Sequence, residues 1–135
     1  MLDRISVFIY GSLIPGFANH RVVAPYLLGA PRDGRVIGRL VDFGPYPALL
    51  RDREAYRRGS LIRGLWIAVS PEGLRSMDKL EDFRGIGENN DYERVWATDT
   101  DVPERRGWVY VWDSPRGCPE IPEDYWPDYM IRRMA

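Results

Sequence analysis

Hydrophobic and polar positions change period several times along the chain, and each change marks a predicted element. Residues 5–10 end in the apolar run Val7-Phe8-Ile9-Tyr10, which stops at Gly11-Ser12. A run rich in β-branched and aromatic residues that ends on glycine reads as a buried strand breaking into a tight turn. Beyond the Pro- and Gly-containing loop 14–20, Val22, Val23, Tyr26 and Leu27 follow helical spacing. They predict a helix of a turn or two, with Asn19 as its cap and Pro25 limiting its length. Gly34 to Phe43 reads as a second strand, with Gly38 marking a bulge or sharp bend. A turn at 44–47 leads to a short strand at 48–50, and the charged segment Arg51–Arg58 is expected to be a solvated hairpin or excursion. Leu61 to Val69 is the next strand. Ser70 then caps a helix with Pro71 at its first position, and Leu74, Met77 and Leu80 repeat at helical spacing. Gly85 and Gly87 are expected to end that helical pattern. Tyr92–Thr98 and Gly107–Trp112 alternate as two more strands. In the tail, Tyr125, Trp126, Tyr129 and Met130 recur at helical spacing, as a terminal helix or an extended clasp would require.

About six strands, two short helices and a C-terminal element follow from this pattern, without repeats or linkers. Strands dominate and are not regularly separated by long helices, which argues against a doubly wound α/β fold. The predicted class is α+β, a small mixed β-barrel with flanking short helices. Residues 1–135 form one domain, with an extension from about 118 to 135 packing on it.

Composition narrows the chemistry. Nineteen basic and twenty acidic residues are interspersed, so no nucleic-acid footprint is present and no such partner is expected. One cysteine, Cys118, and one histidine, His20, rule out an internal disulfide and any multi-Cys or multi-His metal site. No phosphate loop or dinucleotide fingerprint occurs, and neither a cofactor nor a metal is expected. No apolar stretch approaches the roughly 18 residues of a membrane span, and no leader segment is visible, so a cytoplasmic protein is expected. Oligomeric state is not readable.

Two stretches can carry chemistry. At the Tyr10–Leu13 turn, glycine lets successive amide N–H groups converge on a carboxylate or an oxyanion, although an ordinary strand-to-loop turn gives the same letters. Glu81 falls at the end of a helix whose apolar face points inward. Partial burial there raises its pKa, and Asp78 and Asp82 could push in the same direction. A carboxyl raised toward neutrality suits a general acid/base, whereas a glutamate at a helix end is otherwise a solvated surface residue. A Cys118–His20 nucleophilic pair is a weaker alternative.

The blocks Val7-Phe8-Ile9-Tyr10-Gly11-Ser12-Leu13, Gly38 to Leu49, Arg63-Gly64-Leu65-Trp66, Met77-Asp78-Lys79-Leu80-Glu81, Tyr92-Glu93-Arg94-Val95 and Trp108 to Trp112 occur in one order. That ordered set resembles the γ-glutamylcyclotransferase-like (AIG2-like) family; the tail after Gly117 matches none of its motifs. The resemblance implies a compact mixed barrel with its pocket at the Tyr10–Leu13 turn and a cofactor-free enzyme. It implies Glu81 as the acid/base that lets a substrate's own α-amine attack its γ-carbonyl, giving 5-oxoproline and a free amine. It further implies that Tyr10, Gly11, Ser12 and Leu13 bind the glutamyl carboxylate or the oxyanion, with Tyr92 a hydroxyl donor and Tyr46 a wall. The expected partner is a small γ-glutamyl compound. The chain departs from the pattern at Ile14-Pro15, where a basic residue is common, and at Asp82, where a small residue is common. The leaving amine therefore stays open. A binding or regulatory module without turnover, or an amide hydrolase using the same site, are the other readings.

Overall fold

The computed structural model describes residues 3–134. In chain order its first elements are β1 (Ile5–Ile9), α1 (His20–Val23) with a 3₁₀ turn after it, β2 (Arg32–Ile37), β3 (Arg39–Asp42) and β4 (Pro47–Leu50). They are followed by α2 (Arg53–Arg58), β5 (Leu61–Val69), α3 (Pro71–Leu80), β6 (Glu93–Thr98), β7 (Arg106–Trp112), β8 (Glu120–Ile121) and α4 (Trp126–Met134).

All eight strands belong to one mixed sheet in the order β2-β5-β1-β7-β4-β3-β8, with β6 on the other edge of β7. β2 and β3 are separated by Gly38 alone, yet they lie on opposite flanks of this order. One residue can connect them only if the sheet curls until its flanks meet, so the fold is a curled half-barrel with a few short helices. The chain turns sharply enough at Gly38 that a Cβ there would sit 2.5 Å from Leu49 Cδ1. The single strand expected over 34–43 is therefore two strands, and the glycine is the corner between them.

Side chains of a strand alternate between the two faces of its sheet. Val7 and Ile9 enter one core cluster with Met77, Tyr110 and Trp112, whereas Phe8 and Tyr10 enter another with Leu40, Val109 and Trp126. Both faces of β1 are thus buried, which is why it reads as an unbroken apolar run. Helices α1 and α3 cover the first face, and α4 closes the second.

The segment expected as a solvated hairpin or excursion contains a helix over residues 53–58. Asp52 caps it by accepting from the Ala55 amide (3.0 Å), and the same carboxylate takes a fork of hydrogen bonds from Arg39. The capping signal was present in the sequence beneath a dense run of charge. The tail is both a short strand, β8, and the helix α4, with Trp126 buried against Phe17 at a ring-centroid distance of 4.9 Å.

Candidate functional site

Two strands share one edge of β7. β1 pairs with its first half (Val7 opposite Trp108), and β4 with its second (Leu49 and Leu50 opposite Val111 and Trp112). Where β1 peels away, backbone groups of β4 and β7 lose a neighbour, and Tyr10 fills the gap. Its hydroxyl donates to the Tyr110 carbonyl (2.6 Å) and accepts from the Leu49 amide (3.2 Å). Burial, with Tyr92 and Glu81 nearby, pushes that hydroxyl well above its ordinary pKa, so it stays neutral. Tyr10 therefore braces the split in the sheet.

The turn that follows is held by its carbonyls. Gly11 O accepts from the Ile14 amide (3.0 Å) and Ser12 O from the Asn19 amide (3.0 Å), while Leu13 O accepts from His20 Nδ1–H (2.8 Å). Asn19 Nδ2 also donates to Ser12 Oγ (2.9 Å). Among the described residues, the N–H groups of Gly11, Ser12 and Leu13 find no acceptor. Two successive peptide units, Gly11–Ser12 and Ser12–Leu13, are thus anchored by their carbonyls with their N–H donors left free, and the Gly11 N–H before them is free as well, the arrangement that binds anions elsewhere.

Two expectations need correction here. Glycine is expected at Gly11 for dihedrals other residues resist, but its φ is not positive; glycine is required because a Cβ would lie 2.8 Å from Pro47 Cγ. Asn19 precedes α1 but makes no side-chain cap: its backbone (φ −97°, ψ 2°) is not the extended one a cap adopts, and its Nδ2–H donates to Ser12 Oγ.

Glu81 sits immediately after α3. Ser70 starts that helix, its Oγ accepting from the Gly73 amide (3.2 Å), with Pro71 next. The helix ends at Leu80, earlier than the glycines suggested. Asp82 turns left-handed (φ 53°), with Asp82 N–H bonded to Lys79 O (3.3 Å) and Phe83 N–H to Asp78 O (2.8 Å). This pair of reversed bonds, with Phe83 buried behind it, is a Schellman closure made with aspartate where glycine is usual. One turn back, Asp78 pins the helix end to the sheet. It accepts from the Tyr110 hydroxyl (2.6 Å) and pairs with Arg94 (3.1 Å). Tyr92 N–H to Glu81 O (3.2 Å) and Asp91 N–H to Asp82 O (3.1 Å) then close the neck of the 83–90 loop and set Tyr92 opposite Glu81.

The turn, the end of α3 and the neck enclose a pocket of about 210 Å³. Tyr10, Gly11, Ser12, Leu13, Tyr46, Glu81 and Tyr92 all line it, so the seven residues singled out from the sequence converge. Asn19, Phe43, Leu80, Asp91 and Tyr110 line it as well. Of these, Asp91 carries no sequence signal and Tyr110 reads only as part of a strand, because their places at the pocket depend on partners far along the chain.

Among the described residues, no hydrogen bond or ion pair engages the Glu81 carboxyl. Burial, and secondarily the charge of Asp91, push its pKa from 4.5 up to about 8. The neighbouring charge is thus Asp91 and not Asp78 or Asp82, since Asp78 is committed to Arg94 and Tyr110 while Asp82 faces Arg84. Tyr92 gives its hydroxyl proton to the Pro47 carbonyl (2.9 Å). Burial and the Glu81 charge raise it far above the ordinary phenol value. His20 and Cys118 are not brought into a hydrogen-bonded pair. His20 is spent on Leu13 O, and the thiol reaches only the Arg116 carbonyl at 3.9 Å. Among the described residues, no helix is long and apolar enough to cross a membrane.

The half-barrel thus holds, in one small pocket, an unpaired buried carboxyl and a row of free backbone amides. The chain belongs to the gamma-glutamyl cyclotransferase, AIG2-like family, whose model matches residues 7–128. It is 33% identical over 111 residues to the gamma-L-glutamyl-butirosin B gamma-glutamyl cyclotransferase of Niallia circulans, covering 80% of this chain and 67% of that one. A putative gamma-glutamylcyclotransferase of Halalkalibacterium halodurans is 35% identical over 95 residues, 70% of this chain and 82% of that one. Among solved structures, an AIG2-like protein from Mus musculus superposes with a TM-score of 0.65 at 25% identity, covering 87% of this chain and 86% of that one. An uncharacterized protein from Pyrococcus horikoshii shares the fold with a TM-score of 0.68 at 17% identity, covering 96% of both chains.

Proposed function

We propose that the protein is a γ-glutamyl cyclotransferase that releases 5-oxoproline and a free amine from a small γ-glutamyl amine or peptide, with Glu81 as the acid/base. The observation that carries this reading is the Glu81 carboxyl, unpaired and raised to about 8, in the same small pocket as three successive free amides. A site that only bound an anion would gain nothing from a carboxyl beside it. Family membership and the activity for which the two bacterial relatives are named point the same way.

In the proposed reaction the free amides of Gly11, Ser12 and Leu13 hold the α-carboxylate or stabilise the oxyanion. Tyr92 and Tyr46 wall the pocket. The substrate's α-ammonium, placed beside Glu81, favours the ionised carboxylate, which takes one proton. The freed amine attacks the γ-carbonyl and forms a tetrahedral oxyanion. Glu81 returns the proton to the departing nitrogen as the carbon–nitrogen bond breaks. The ring nitrogen then loses its second extra proton by the same carboxyl, so two protons pass overall from the α-nitrogen to the amine. The nucleophile already belongs to the substrate, and positioning supplies much of the rate.

The test is product detection by mass spectrometry across a panel of γ-glutamyl amines and dipeptides, γ-glutamyl-butirosin B included. Wild type should release 5-oxoproline, and Glu81→Gln should lower kcat by about 10²–10⁴. Free glutamate in place of 5-oxoproline would mean hydrolysis. No product from a folded wild type across the panel would leave a binding module.

A further inference from the structure

The C-terminal helix packs through Trp126, Tyr129 and Met130 on the second core cluster, and it is tied to the pocket's rim. The link is Asp42, the last residue of β3. One of its oxygens accepts from the Gly44 amide (2.7 Å). The other accepts from the Tyr129 hydroxyl and faces Arg133 Nη1 at 3.3 Å, both residues belonging to α4. Between Asp42 and Pro47 runs the turn that carries Phe43 and Tyr46, closed by the Phe43 amide on Tyr46 O (3.0 Å). Both aromatic residues line the pocket, yet Phe43 is 53% and Tyr46 40% exposed. Phe43 packs on the edge-on ring of Trp112 at 5.3 Å. Two large rings at a pocket mouth, on a four-residue turn open to solvent, need an anchor outside the turn to stay in register. Asp42 supplies it from α4.

The pocket's size says what these rings meet. At about 210 Å³ it is smaller than the roughly 300–1,000 Å³ that encloses a drug-sized ligand. It has room for the glutamyl part, so the amine part leaves through the mouth, whose exposed rim is made of Phe43, Tyr46 and Leu80.

We infer that Tyr129 and Arg133 are positioning residues for the leaving-amine side of the site, acting through Asp42 on the Phe43–Tyr46 turn. This rests on the cyclotransferase reading for its kinetic consequence, though not for the tether itself. The ligand class affected is a γ-glutamyl amine whose amine portion is large and carries apolar surface. Tyr129 and Arg133 also lie beyond residue 128, where the match to the family model ends. The tether therefore belongs to this chain's own tail.

The experiment has two arms on wild type, Tyr129→Phe and Glu123→Gln. The last variant weakens the ion pair between Arg132 of the same helix and Glu123 in the segment before it (2.8 Å), which does not touch Asp42. The first arm is amide hydrogen exchange. In Tyr129→Phe the amides of Phe43 and Gly44 should exchange at least threefold faster while β1 is unchanged, and Glu123→Gln should match wild type. The second arm is kinetic. Tyr129→Phe should raise KM three- to tenfold for γ-glutamyl amines with bulky apolar amines, leave kcat within twofold, and leave KM for γ-glutamyl-methylamide unmoved. Unchanged exchange in Tyr129→Phe overturns the tether, and a KM rise equal for all amines overturns the positioning role. If Tyr129→Phe melts far below wild type, Asp42→Asn takes its place, because it keeps the acceptor for Gly44 and removes the charge that faces α4. A wild type that turns nothing over defeats the cyclotransferase reading instead, and exchange alone then decides whether α4 holds the turn.

Discussion

Glu81 places a chemical requirement and a stability cost in one side chain. The unfolded chain releases this proton near pH 4.5, whereas the folded chain holds it to about 8. Between those values the folded form carries more protons, so stability falls as pH rises through the window. Glutamine is neutral throughout and keeps the shape. Glu81→Gln should therefore match wild type below about pH 4.5 and exceed it above pH 8, by on the order of 4–5 kcal/mol, the free energy of holding one proton across that pH window. Paired urea melts of the two proteins at pH 4.5, 7 and 9 check this. A pH-independent difference would mean that the carboxyl titrates normally. Residue identity showed which side chain to suspect but not the source of its shift. Helical spacing made Asp78 and Asp82 the neighbouring charges, whereas a loop neck brings in Asp91. That neck is a contact across the 83–90 loop, which local spacing does not encode.

At the scale of elements, the ends of α3 show how far letters reach. Ser70 and Pro71 mark its start, because cap and first-turn preferences act over three or four residues. Its end was less legible, since Asp82 occupies a left-handed position that glycine or asparagine usually fills. The resemblance had flagged that site as one where a small residue is common, and the backbone supplies the reason. Aspartate pays for the left-handed turn without return, its contact to Arg84 being long (3.3 Å) and exposed. Asp82→Gly should raise unfolding stability by about 0.5–1 kcal/mol and leave Glu81 in place. A thermal melt with a parallel activity assay reads both. Destabilisation would mean that the Asp82 side chain holds the neck. The helix α2 was missed for a related reason. Asp52 is a good cap, but the charges that follow it mask an element only six residues long.

Across the whole molecule, the sheet's local strands were legible and its closure was not. Periodicity located most of the strands. That β1 and β4 share one edge of β7, and that Gly38 turns a corner instead of bulging a strand, are facts of long-range pairing. The pocket exists because of that shared edge, so its residues were suspected singly while their meeting was not derivable from spacing. The tail completes the closure. Trp126 is 3% exposed and packs on Phe17, which lies in the loop between the Leu13 amide and Asn19. It therefore supports the second core cluster and the loop that orders the amides at once. Trp126→Ala should destabilise the protein by about 3–5 kcal/mol, as truncation of large buried aromatics does elsewhere. Trp126→Phe, which keeps a ring against Phe17, should recover more than half of that loss. If the tail were only a surface clasp, Trp126→Ala would cost under about 1 kcal/mol and the pocket would be untouched. Urea melts, with hydrogen exchange at the Gly11–Leu13 amides, separate the two. Exchange there should quicken in Trp126→Ala under conditions where the sheet is still folded, because the loop loses its backing before the strands lose theirs.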